Sequence, residues 1–265
     1  MDDLAWELAA CQVPYFDQVT LYDDWRRCHE HALSAVRAAG NRRGEAVLLR
    51  GLGQIDIYWD DFGRAARNFA RSRELCREIG DKRGEAWAVA GLGTLGRLLG
   101  RYEEAVAHYL AALRAFAGMD ERHLEAQIHN SIGMIRLTQG RPDEARGWLN
   151  EALLIAQSVG DDFRAAIVLV NIGRLHRVGG EPLRALGCQR HALAALERIG
   201  DDQLVAYALL SIGETHAALQ EKAKAVAAGD RAKATFARTG NQSGEAACAR
   251  LLDQLTRGEP RFPGG

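Results

Sequence analysis

Apolar residues along this chain recur three or four apart, the spacing of one helix face, in one segment after another of similar length. Residues 81–120, DKRGEAWAVAGLGTLGRLLGRYEEAVAHYLAALRAFAGMD, hold two such amphipathic patterns joined at Leu99-Gly100-Arg101. The rest of the chain repeats that stretch in register. Ala86 recurs as Ala46, Ala126, Ala166, Ala206 and Ala246. The pair Leu92-Gly93 recurs as Leu52-Gly53, Ile132-Gly133, Ile172-Gly173 and Ile212-Gly213, and Ala105 as Ala65, Ala145, Ala185 and Ala225. Two helices in a fixed period of about forty residues indicate a helical solenoid, because a single hairpin cannot bury its own apolar face and needs the next one.

The pattern therefore predicts an all-α, right-handed solenoid of antiparallel helix pairs, about thirteen helices in one elongated body. Residues 1–40 read as a degenerate N-terminal capping pair. Its first helix, within 1–18, carries Leu4, Trp6, Leu8, Ala9 and Val13 and is interrupted near Pro14; its second, 22–39, sets Trp25, His29, Ala32 and Val36 on one face. Five repeats follow at 41–80, 81–120, 121–160, 161–200 and 201–240, then a capping helix at 241–256 and a disordered tail at 257–265.

The punctuation agrees with the period. Gly40, Gly80, Gly160, Gly200 and Gly240 stand where a helix C-terminus needs a left-handed residue. Each is followed by Asn41, Asp81, Asp161, Asp201 or Asn241, side chains that accept from the free N–H groups of the next helix. The third junction departs from this, with Gly118 early and Asp120 at the junction. Inside helices, Gly53, Gly93, Gly133, Gly173 and Gly213 each cost about 1 kcal/mol relative to alanine. That cost, repeated in register, implies a neighbouring helix too close for a side chain, with the alanines at 65, 105, 145, 185 and 225 as the facing positions. Phe69, Tyr109 and Leu149 would fill the gaps one turn on, while Gln189 and Gly229 at the same place predict looser packing in the last repeats.

Composition narrows the function. The formal net charge is -1, so no global field draws the chain to nucleic acid or a membrane. Five scattered cysteines without a CxxC predict reduced thiols rather than a disulfide framework or a zinc site. The absence of a leader pattern and of a long apolar run predicts a cytoplasmic protein. Only Lys82, Lys222, Lys224 and Lys233 among the 34 basic residues are lysines, a bias consistent with a GC-rich genome.

No catalytic, cofactor or metal chemistry emerges. Gly91-Leu92-Gly93-Thr94-Leu95-Gly96 is a literal GxGxxG, but it lies mid-helix instead of between a strand and a helix, so packing explains it. His29 and His31, and His123 and His129, have the wrong spacing for a helical metal pair; His108, His176, His191 and His216 read as partly buried polar side chains. There is no GxSxG, Cys–His signature or tight carboxylate constellation, so the chain is read as a non-enzyme with no cofactor.

The Leu/Ile-Gly pair, the alanine twelve residues after that glycine and the aromatic four further on resemble the tetratricopeptide repeat. The period is longer than the usual one, and the tyrosine after the glycine pair is missing; in this the chain is similar to kinesin light chain and the LGN/Pins adaptors. The phrases AGNRRGEA…GLG and IGDKRGEA…GLG…GRYEEA, with the opening LAWELA…YF…DDWRRCHEHAL, resemble the C-terminal arrays of actinobacterial SARP-type, NB-ARC-containing transcriptional regulators.

That resemblance implies a non-catalytic protein- or peptide-binding array, the sensor or regulatory part of such a regulator, with its site on the first helix of each repeat. Helix geometry then selects Arg50, Gln54, Trp87, Thr94, Arg97, Gln127, Asn130, Ser131, Met134, Asn171, Arg174, Arg177, Tyr207, Ser211, Glu214 and Arg250 as one face. Five arginines against one glutamate make it a basic stripe suited to an acidic or amphipathic segment, or to other domains of its own regulator. Asn130 and Asn171 would bond a peptide backbone; Trp87, Met134 and Tyr207 would anchor apolar groups. The competing reading is that these arginines are ordinary solvated surface. Two alternatives stay open beside the peptide module: a receptor for a small ligand or signalling peptide, and a scaffold that self-associates into a homo-oligomer.

Overall fold

A computed structural model describes residues 2–13 and 22–257. The interruption expected at Pro14 and the tail beyond residue 257 lie outside the described residues. Thirteen α-helices and no strand are present among the described residues: α1 (Asp2–Cys11), α2 (Tyr22–Ala38), α3 (Arg42–Tyr58), α4 (Phe62–Glu78), α5 (Lys82–Leu98), α6 (Tyr102–Phe116), α7 (Arg122–Thr138), α8 (Pro142–Ser158), α9 (Asp162–Val178), α10 (Pro182–Ile199), α11 (Asp202–Ala218), α12 (Lys222–Arg238) and α13 (Gln242–Arg257). They form two compact units, residues 1–121 with α1–α6 and residues 122–265 with α7–α13. In each unit successive helices pack as antiparallel hairpins, and the first helix of one hairpin also packs on the first helix of the next.

The helix ends follow from local chemistry. Gly40, Gly80, Gly160, Gly200 and Gly240 all have φ between 66° and 83°. Their carbonyl-terminated helices then reverse into caps. Asn41, Asp81, Asp161, Asp201 and Asn241 each accept the backbone N–H three residues on, at 2.8–2.9 Å. Asp60 and Gln220 take the same left-handed conformation without being glycine, at φ 57° and 60°.

The seam between paired helices uses both the alanines and the residues one turn on. The alanines at 65, 105, 145, 185 and 225 are fully buried, but the side chain four residues later is what covers the helix glycine. A Cβ on Gly93 would stand 2.8 Å from the Tyr109 ring, one on Gly133 2.7 Å from Leu149, and one on Gly173 2.5 Å from Gln189. The alanines contribute closeness of backbone: the Ala185 carbonyl would lie 3.1 Å from that same added carbon on Gly173. In Gly91-Leu92-Gly93-Thr94-Leu95-Gly96 the three glycines serve three different neighbours, Phe69, Tyr109 and Ala105. Packing accounts for the motif.

Nor are the last repeats loosely packed. Gln189 is wholly buried, with its Nε2 donating to Ser211 Oγ at 2.8 Å. Where Gly229 leaves a gap, Leu251 and Leu252 of α13 enter it, each just over 3 Å from the carbon that Gly213 or Gly229 would add. In the first unit, Trp25, His29, Ala32 and Val36 are all buried, as one helix face requires.

Candidate partner-binding face

The first helices of the repeats are held by the seams just described, so the face they present is set by side-chain size. In the first unit that face is largely closed on itself. The Arg50 guanidinium lies over the Trp87 ring, 4.9 Å from its centroid, and Trp87 meets Phe116 edge-on at 6.4 Å. Burial pushes the Arg50 pKa down. Thr94 accepts the Tyr109 hydroxyl at 3.1 Å and donates to the Ala90 carbonyl at 3.3 Å. Arg97 is half-buried with its Nε sunk away from any partner, and Gln54, at the repeat phase of Thr94, is half-buried as well.

The second unit is different. Asn171 Nδ2 donates to Asn130 Oδ1 at 2.8 Å, joining α9 to α7. Tyr207 is fixed at both ends: its ring stands edge-on to Phe236 at 4.8 Å, and its hydroxyl accepts from Asn241 at 3.1 Å. Between α9 and α11 lies a hollow of about 270 Å³. Ile167, Val170, Asn171 and Arg174 line it from α9; Leu204, Tyr207, Leu210, Ser211 and Glu214 from α11; Leu196 of α10 closes the floor. The two walls are the same positions of consecutive repeats, 167 with 207, 170 with 210, 171 with 211 and 174 with 214.

Five of the expected residues thus meet at one site: Asn171, Arg174, Tyr207, Ser211 and Glu214. Ile167, Val170, Leu204 and Leu210 were not among them. Ile167 holds the helix phase of Trp87, Gln127 and Tyr207, a signal that would have found it; an aliphatic residue at that phase reads as core. Other expected members fall elsewhere. Met134 packs against the core around Leu149 and Ile172, so it does not serve as a free apolar anchor. Gln127 is exposed on α7, Ser131 is half-buried there, and Arg250 is exposed on α13 and lines none of the hollow.

The basic stripe also needs correcting. Arg177 Nη2 meets Glu214 at 2.8 Å, so the one glutamate of the face is consumed internally and cancels one arginine. Burial pushes the Arg177 pKa down; Glu214 opposes this and Arg174 adds to it. Arg174 itself is exposed and makes no ion pair among the described residues. The mouth of the hollow therefore carries one uncompensated positive charge.

His191 is exposed rather than partly buried, whereas His176 and His216 contact Glu181 and Glu221 at 2.6 Å. Among the described residues no group of three or more His, Cys, Asp or Glu is arranged to hold a metal, and no helix is long and apolar enough to cross a membrane.

The family model for the tetratricopeptide repeat matches residues 124–198, which span α7 to α10. Residues 124–198 are tetratricopeptide repeats. Solved structures extend that fold over nearly the whole chain. A Rap protein complexed with competence and sporulation factor aligns at TM-score 0.71 and 13% identity, over 97% of this chain and 76% of that one. NprR in complex with its cognate peptide NprX aligns at TM-score 0.70 and 15% identity, over 96% and 72%. A signal transduction ATPase with numerous domains and a tetratricopeptide repeat sensor, from Pyrococcus horikoshii, aligns at TM-score 0.63 and 13% identity, over 95% and 44%. No curated protein matches the chain. At these identities the tetratricopeptide fold is what is shared.

Proposed function

We propose that this tetratricopeptide array is a non-catalytic protein- or peptide-interaction module whose partner segment lies along α9 and α11. The observation that carries the reading is the hollow between them, with a tethered amide pair at one side and an unpaired arginine at its mouth. The amide pair leaves Asn171 Oδ1 free to accept and Asn130 Nδ2 free to donate, the pairing a passing peptide backbone needs. Structures of Rap and NprR with bound peptides are consistent with this use of the fold. The finer reading is the sensor part of a bacterial regulator, cytoplasmic and acting on an acidic or amphipathic segment; the tetratricopeptide repeat sensor of the Pyrococcus horikoshii ATPase supports the sensor role alone.

Selection of a random-peptide display library on the full chain tests the reading. Peptides recovered on the wild type should bind a chain carrying Asn171→Ala and Tyr207→Ala at least about tenfold more weakly. Equal binding to both chains contradicts it. The apolar walls favour a second reading, a receptor for a small ligand; such a ligand would bind with little dependence on ionic strength, whereas an acidic segment would weaken with salt.

A further inference from the structure

Among the described residues, the hollow in the second unit has no counterpart where Arg50 covers Trp87 at the equivalent positions of the first. Arg50 and Trp87 of the first unit stand at the same repeat phases as Val170 and Tyr207 of the second. In the first unit the long guanidinium side chain covers its aromatic neighbour. In the second, valine is too short to cover Tyr207, which stays 41% exposed, and the space beside it is empty. An apolar hollow of about 270 Å³ exceeds the roughly 150 Å³ in which an engineered cavity holds benzene. It has room for one large side chain and not for a whole folded element.

The charges around the mouth select what accompanies that side chain. Glu214 is held by Arg177, so it repels an incoming carboxylate only as half of a neutral pair. Arg174 is left over, on the same wall as Val170 and one turn from it. Ser211 accepts from Gln189 through its oxygen, which leaves its own O–H to donate toward the hollow. Two donors with net positive charge, over an apolar pit, match an anion joined to a hydrocarbon group.

We propose that the hollow between α9 and α11 takes a single large aliphatic or aromatic side chain of the partner, with a carboxylate next to it bound by Arg174. This rests on the reading of that face as a partner-binding site and names the group it recognises. The carboxylate is the side chain of a neighbouring Asp or Glu, as the acidic segment of that reading requires.

Methyl-labelled full-length chain, titrated by NMR, tests it with three probes: N-acetyl-phenylalanine, its amide, and acetyl-Asp-Phe-amide. N-acetyl-phenylalanine should shift the methyls of Ile167, Val170, Leu204 and Leu210, with a dissociation constant on the order of millimolar. Its amide should bind about fivefold more weakly, and Arg174→Ala should erase that difference. Acetyl-Asp-Phe-amide should regain the affinity that the amide loses, and no gain over the amide overturns the proposal. Val170→Arg should abolish binding although it adds positive charge, because it fills the hollow as Arg50 does its counterpart. Acid and amide binding alike, or shifts at other methyls, overturn the proposal. If the probes fail while display-selected peptides still depend on Asn171 and Tyr207, the anchor assignment falls and the face remains.

Discussion

Arg50 lies on Trp87 in the first unit, while Val170 at the same phase leaves Tyr207 beside an open hollow in the second. The first helices on both sides, α3 and α5 against α9 and α11, are each 17 residues long, begin at an Asn or Asp cap and carry the Leu/Ile-Gly pair, so the frame of the face does not distinguish them. What differs is the side chain placed on it. A repeat fold thus lets one face be closed in one pair of hairpins and open in another by changing the side chains on a common frame.

The packing beneath also differs, and substitutions there separate the units further. The largest effect is expected at the aromatic knob of the first. Phe69 is wedged against both Gly53 and Gly91, and Phe69→Ala should lower unfolding free energy by about 3–5 kcal/mol. In the second unit the corresponding knob is Gln189, whose buried Oε1 has no partner. Gln189→Leu should be near neutral or stabilise by about 1 kcal/mol, read as a shift in denaturant midpoint.

A pH effect confined to the first unit comes next. His29 is buried, Trp25 Nε1 donates to its Nε2 at 3.3 Å, and its Nδ1 has no partner. Burial holds its pKa at about 4, below the ordinary 6.5, so the neutral ring is what the fold accommodates. The unfolded chain takes up the proton first as pH falls. The stability this contributes is complete above about pH 6.5 and is lost on the way down to about 4, on the order of 3 kcal/mol. Chemical denaturation across that window should show the slope in the wild type and a flatter profile in His29→Gln.

Glycine substitutions give smaller effects of opposite sign. Gly173→Ala should destabilise by about 1–3 kcal/mol, because the added carbon meets the Ala185 backbone as well as Gln189. Gly187→Ala, on an open stretch of α10, should stabilise by roughly 0.5–1 kcal/mol. Smallest is Gln220→Gly, which relieves a left-handed residue of no special tolerance and should gain about 0.5 kcal/mol.

These contrasts also mark what could be read before the structure. The glycine and Asn/Asp punctuation specified helix ends because each residue acts through its own backbone or one N–H three positions away. The seam was legible as alanines facing the helix glycines with Phe69, Tyr109 and Leu149 one turn on; that Gln189, Leu251 and Leu252 close it in the last repeats depends on side-chain direction across helices. The candidate face was found as a set of phases, and Asn171, Arg174, Tyr207, Ser211 and Glu214 converge on one hollow. Val170 escaped notice because a hollow is made by what a short residue fails to fill, which only comparison with Arg50 reveals. The pairing of Arg177 with Glu214, 37 residues apart, was equally out of reach of a helix-face argument.

The site in the second unit is tested most directly by titrating one display-selected peptide calorimetrically against three chains: wild type, Val170→Arg and Arg50→Val. Affinity should fall about tenfold or more for Val170→Arg and stay unchanged for Arg50→Val. Loss with Arg50→Val, or undiminished affinity with Val170→Arg, would contradict the account.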